Sequence, residues 1–201
     1  QRQMCIRDRV TELAGPDDHL TTPRDLEFNP EAPDQLWIVD WPDDEVVILF
    51  GTGTSEQQAV SYSGENADHW LAKPSAIAFG DPGYVATSHE DLGDGGGNPS
   101  FAMGPTLWPS SVDDFDGGQP SHLDMVHDSP LSQGIAWDRD NIYWVHDGYN
   151  RAITRYDFAE PHEPGGTWHD DAILYRYVQG EVGYVEGVPS HMAFDQDTNL
   201  L

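Results

Sequence analysis

Nine histidines stand in a chain that carries 36 acidic residues and only nine Lys+Arg. Their spacing is the first sign of chemistry. His69 lies seven residues before Ala76, and His127 lies seven before Gly134. Ala76 and Gly134 each open a short apolar segment. The pattern shifts elsewhere: Tyr184 holds the equivalent place before a later segment, where His191 itself takes the first strand position, and His19 stands six residues before Asp25. Equivalent side chains of repeated units meet wherever the units surround one axis. Three or four imidazoles meeting in this way suit Zn²⁺ or Fe²⁺. His69, His127 and His191 are therefore the expected metal ligands. The competing expectation is that they cap loops or bond backbone carbonyls.

Other candidates are weaker. In "SHLDMVH" (121–127) a strand would place His122 and His127 on opposite faces. His162 and His169 flank "EPGGTW", a loop expected to lie away from any axis, and His146 precedes Asp147 at a strand end. All of these are expected to be structural or solvated. "HEDLGDGGGNPS" (89–100) gathers carboxylates among glycines, which suits Ca²⁺ by donor type. Its spacing does not fit an EF-hand, so a surface insert is the plainer reading. No nucleophile elbow, P-loop or His-Glu-x-x-His occurs. "GTGTSE" (51–56) follows a strand but has no third glycine and no helix to receive a phosphate. No catalytic residue can be singled out.

The elements that must position these residues recur. "RDLEF" (24–28), "SAIAF" (75–79), "QGIAW" (133–137) and "SHMAF" (190–194) align, with spacings of 51, 58 and 57 residues measured at Asp25, Ala76, Gly134 and His191. A second apolar run follows the first three: "LWIVD", "YVATS" and "IYWVHD"; the fourth is only begun at "NLL". "DWPDDEVVILF" and "DGYNRAITRYDF" share a register, with a tight polar turn between Asp40 and Val46 and between Asp147 and Ile153. "QQAVSYS" and "AILYRYV" supply a fourth strand. Helical periodicity is nowhere sustained. Four antiparallel strands recurring about every 50 residues mark the blades of a β-propeller. The expected fold is all-β: three four-stranded blades and the start of a fourth, part of a presumed six-bladed ring. Such an arc is expected to be open, with raw blade edges that make the piece poorly soluble alone.

"GIAWDRDNIYWVHDGYNRAITRYDF" (134–158) resembles a blade of the NHL-repeat type. Gly134, Asp147, Asn150, Arg151 and Ile153 occupy the places of that pattern. The first blade keeps Asp40 but has Asp43 and Glu45 near the Asn and Arg places, and the second departs into an insert. The resemblance implies that Asp147, Asn150 and Arg151 bind backbone groups of their own hairpin. More distantly, the chain is similar to peptidyl-hydroxyglycine amidating lyase propellers, which hold a channel metal on histidines. "PSHMAFD" (189–195) matches their Pro-His segment with the histidine one place later.

Composition bounds the partners. With a formal net charge of −27, the chain has little cationic surface, so nucleic acid and anionic membranes are poor partners. Twenty-two aromatic residues in short apolar runs argue against disorder. No apolar run is long enough for a membrane-spanning helix. Residues 1–9, "QRQMCIRDR", hold three of the nine basic residues and the only cysteine. They read as translation of a library-preparation transposon end and are expected not to be natural protein, which makes 10–201 the domain, a piece of a longer gene, and leaves it without cysteine. An extracellular or periplasmic, saline setting suits the acidity, and the full-length protein is expected to be a monomer. Two functions follow: a scaffold whose channel-mouth loops bind a small molecule, peptide or glycan, or a metal-dependent lyase or hydrolase with its ion at the channel.

Overall fold

The computed structural model describes residues 11–41, 43–63, 70–93, 104–115, 121–169 and 171–201. Alternating apolar residues between polar turns form three sheets of four antiparallel strands each. Blade 1 holds β1 (Pro23–Phe28), β2 (Leu36–Asp40), β3 (Glu45–Phe50) and β4 (Gln58–Tyr62). Blade 2 holds β5 (Pro74–Phe79), β6 (Tyr84–His89), β7 (Thr106–Pro109) and β8 (Asp124–Met125), with a single helical turn, α1 (Val112–Phe115), between the last two. Blade 3 holds β9 (Ser132–Arg139), β10 (Ile142–Asp147), β11 (Ala152–Asp157) and β12 (Ile173–Tyr177). Strands pair in sequence order within each sheet. The all-β, partial-propeller architecture is thus present.

The first strand of each blade is the inner one, since β5 packs between β1 and β9. Its alternating side chains face two neighbours in turn. Ile77 and Phe79 join Trp37, Val39, Val46, Ile48 and Trp108 in the core between blades 1 and 2. Ala76 and Ala78 join Ile135, Tyr143, Val145 and Tyr156 in the core between blades 2 and 3. Small residues on one side and large ones on the other let neighbouring sheets approach without voids. Burial of each large apolar side chain contributes roughly 1.5–3 kcal/mol. Every residue of β5 is buried. On β1, which has a blade on one side only, Leu26 and Phe28 remain 56% and 51% exposed.

Residues 190–194 form no strand. Beyond them Asp195 and Leu200 close an antiparallel bridge, the beginning of a fourth hairpin. The C-terminal segment crosses the inner side of this arc: His191 Nδ1 lies 3.2 Å from Asp25 Oδ1, and the Arg24 guanidinium donates to the Gly187 carbonyl. The segment from Tyr184 to His191 therefore reaches from blade 3 to blade 1, drawn over by polar groups that would otherwise be buried without partners.

Candidate functional site

The inner strands surround a cleft of about 460 Å³, lined on one side by Asp25, Leu26 and Glu27, and on others by Ile77, Phe79, Trp137, His191 and Phe194. An innermost strand presents the N–H groups of alternate residues away from its own sheet, and these need acceptors. Blade 1 supplies them as carboxylates. Ile77 N donates to Asp25 at 3.1 Å, Phe79 N to Glu27 at 2.8 Å and Gly83 N to Glu31 at 2.8 Å, each pair 52 residues apart. Burial raises the Asp25 and Glu27 carboxyls above their ordinary range, although the backbone donors pull the other way, and the Asp25 charge raises Glu27 further. The exposed Glu31 is instead lowered, by the Ser110 hydroxyl and the Gly83 amide. The Trp137 indole is oriented by a bond from Nε1 to the Asp140 carbonyl, 2.9 Å.

A clasp stands beside this cleft. Glu90, just past β6, accepts from Gln133 Nε2 (2.8 Å), Gly187 N (2.7 Å) and the Tyr184 hydroxyl (3.1 Å), and its other oxygen lies 3.3 Å from Arg24. The Arg24 guanidinium also lies 4.8 Å from the Trp41 ring centre. One buried carboxylate thus joins all three blades and the C-terminal segment. Gly134 permits the last contact: a Cβ there would meet the Ser190 carbonyl oxygen at 1.9 Å.

The turn residues singled out by their resemblance to a blade motif are structural. Buried Asp147 accepts from Ser129 Oγ (2.6 Å), Asn150 N (3.0 Å), Asn150 Nδ2 (2.9 Å) and Thr154 Oγ1 (3.0 Å), and lies 3.2 Å from Arg176 Nε. Arg151 donates to the Val182 carbonyl at 3.3 Å. Asp40 does the same work in blade 1, accepting from Thr21 N and Thr22 N. In blade 2 the equivalent strand end is His89, paired with Pro74 as Asp40 is with Pro23. Its linker offers a carbonyl rather than an N–H, so the side chain must donate: Nδ1–H bonds the Ala72 oxygen at 3.0 Å. Nε2 then accepts from the Thr87 hydroxyl at 2.9 Å, which itself accepts from Trp108 Nε1. Burial pushes this imidazole down to about 4, against the Ala72 bond and the Asp91 charge. In the strand alignment His89, one residue past "YVATS", stands where the other two blades carry Asp40 and Asp147.

Of the three expected metal ligands, the two that are described have separate surroundings. His69 lies outside the described residues. His191 pairs with Asp25 in the axial cleft. The His127 ring lies 6.4 Å from that of His169. Most of the glycine-rich acidic insert, 94–100, lies outside the described residues; Asp91 at its start bonds Lys73 Nζ at 2.6 Å. Among the described residues, His122, His162 and His169 do converge, with one ligand nitrogen each. The loop between β11 and β12 is remote from the axis, as expected, but it brings two histidines to a third. Asp124, two residues beyond His122, is fully buried, and burial with the nearby Asp171 charge pushes its carboxyl up to about 7.

No family model matches the chain, and no curated protein matches it. Among solved structures it is similar to the hydrazine synthase of Kuenenia stuttgartiensis, at 15% identity over 67% of this chain and 40% of that one, TM-score 0.42. It is also similar to a virginiamycin B lyase from Staphylococcus aureus, at 13% identity over 80% of this chain and 58% of that one, TM-score 0.38. A luciferin-regenerating enzyme is similar at 12% identity over 89% of this chain and 67% of that one, TM-score 0.41. The chain spans less than two thirds of the first two. At such identities and scores none of these likenesses bears on function, and the architecture stands on the three sheets themselves.

Proposed function

We propose that the chain is a binding module of the NHL propeller type whose axial cleft takes a ligand with a cationic group beside an apolar face, such as an amine-bearing small molecule or a basic residue of a peptide. One observation carries this reading: two partly desolvated carboxylates, Asp25 and Glu27, share a cleft with Trp137, Phe79 and Phe194. The two charges disfavour one another, and a cation between them relieves both while aromatic surface covers its stem. A volume of about 460 Å³ suits a small ligand rather than a protein face. An extracellular or periplasmic setting would present such ligands freely.

The test uses N-acetyl-tryptophanyl-lysine amide, its glutamine counterpart and maltotriose, each titrated by NMR into the full chain. The lysine peptide is expected to bind at least about fivefold more tightly than the glutamine one, the worth of roughly 1 kcal/mol from charge pairing. Asp25→Asn with Glu27→Gln removes that preference. Equal binding of the two peptides, binding of maltotriose alone, or a preference that survives the double substitution contradicts the proposal.

A further inference from the structure

The outer edge of blade 2 carries a second, independent arrangement. β8 is the outermost of its four strands, so it lies about 14 Å from the inner one at the usual strand spacing. The loop from β11 to β12 of blade 3 folds onto this edge. His162 N donates to the Leu123 carbonyl at 3.0 Å and Gly165 N to the His122 carbonyl at 2.9 Å. These bonds cover an edge that would otherwise be exposed, and they set His162 and His169 against His122. The buried His122 ring is held by Trp70, stacked on it at 3.6 Å between centroids and 15° between planes.

One ring nitrogen from each histidine lies within 4.8 Å of the other two. Nε2 of His169 lies 3.3 Å from Nε2 of His122 and 3.1 Å from Nε2 of His162. Around an ion bound at about 2.0–2.1 Å, tetrahedral nitrogens sit about 3.3–3.4 Å apart and right-angled ones about 2.9 Å apart. Both separations fall in or beside that range. Direct hydrogen bonding does not account for the arrangement. A neutral ring nitrogen offers either one proton or one in-plane lone pair, so Nε2 of His169 serves one of its two neighbours and not both. The tautomer of His162 is also set for ligation: its Nδ1–H donates to the Glu163 carbonyl at 2.6 Å, which turns the Nε2 lone pair toward the other rings.

We propose that His122, His162 and His169 bind a divalent transition-metal ion, Zn²⁺ by preference, with the fourth position open to water or a small anion. Three imidazole nitrogens are a poor set for Ca²⁺ or Mg²⁺, which require oxygen. His162 and His169 are half-buried, so the ion has a path to solvent. Binding would also fasten the β11–β12 loop to blade 2.

The test is titration of Co²⁺, then Zn²⁺, into the full chain after dialysis against EDTA, in a Cys5→Ser background so that no thiolate competes. The expected result is saturation at one equivalent, with the strong visible bands of four-coordinate Co²⁺, bleached by Zn²⁺ and shifted by azide. His169→Ala abolishes the bands. His162→Gln, in a half-exposed loop position, lowers affinity at least tenfold with circular dichroism unchanged; it decides the matter if His169→Ala fails to fold. His191→Ala and the Asp25→Asn, Glu27→Gln variant keep full Co²⁺ binding, which separates this site from the axial cleft. A six-coordinate spectrum without saturation, or equal affinity in the His162→Gln protein, overturns the proposal.

Discussion

Position 89 shows how one side chain is exchanged within a repeated frame. Where Asp40 and Asp147 accept N–H and hydroxyl donors, the blade 2 linker turns the Ala72 carbonyl inward, and only a donor satisfies it. A neutral imidazole does so without bringing a charge into the core. This exchange makes stability depend on pH. The unfolded chain takes up a proton at His89 near its ordinary pKa of about 6.5, whereas the native ring stays neutral down to about 4. Between those values the unfolded state holds more protons, so stability falls as pH falls. The full effect is on the order of 3 kcal/mol, present above the unfolded value and lost by about pH 4. Denaturant unfolding of the wild type and of His89→Gln across pH 4–7 is expected to show a shallower acid slope in the variant. Identical slopes would show that the imidazole is protonated in the native state.

At the scale of elements, the strands were legible and the long loops were not. β1, β5 and β9 announce themselves by alternation, and β4 and β12 by apolar positions spaced two apart, because a pleated strand with buried faces requires that pattern. Asp147 and Asn150 bond within one turn, but Asp40 accepts from Thr21 and Thr22, eighteen or more residues away. The docking of the β11–β12 loop rests on the backbone N–H groups of His162 and Gly165, which leave no side-chain pattern. His122 and His162 stand forty residues apart in different blades, so nothing in their spacing ties them together. Repeat equivalence singled out His69 and His127, with His191 off the pattern, and passed over His89. Gly134 belongs to this scale as well. Its lack of a side chain lets residues 187–191 lie over β9, and Gly134→Ala is expected to displace that segment. Overlap with the Ser190 carbonyl is a backbone contact, so the cost should resemble core overpacking, about 1–3 kcal/mol. Thermal unfolding checks the loss, and limited proteolysis between Tyr184 and Ser190 checks its location. Unchanged stability and cleavage would place the segment elsewhere.

At the scale of the whole molecule, blades stand side by side because inner strands exchange partners across their boundaries. Apolar residues fill both junctions, but the polar stitching differs. Between blades 1 and 2, Asp25, Glu27 and Glu31 each bond a backbone N–H at an offset of 52 residues. Between blades 2 and 3, Ser75 Oγ donates to the Ser132 carbonyl at 2.6 Å. The acidic composition is thus partly architectural, since three of the carboxylates accept backbone N–H groups of the neighbouring blade. The same two inner carboxylates give the axial cleft its charge, so the fold and the proposed ligand preference share one origin. The most direct measurement of this arrangement is amide hydrogen exchange by NMR at Ile77 and Phe79 in the wild type and in Glu27→Ala. The neighbouring blade predicts that both amides are protected in the wild type and that Phe79 alone loses protection in the variant, with Ala78 unchanged. Fast exchange at both positions in the wild type, or protection of Phe79 that survives removal of Glu27, would contradict the side-by-side packing of blades around a shared axis.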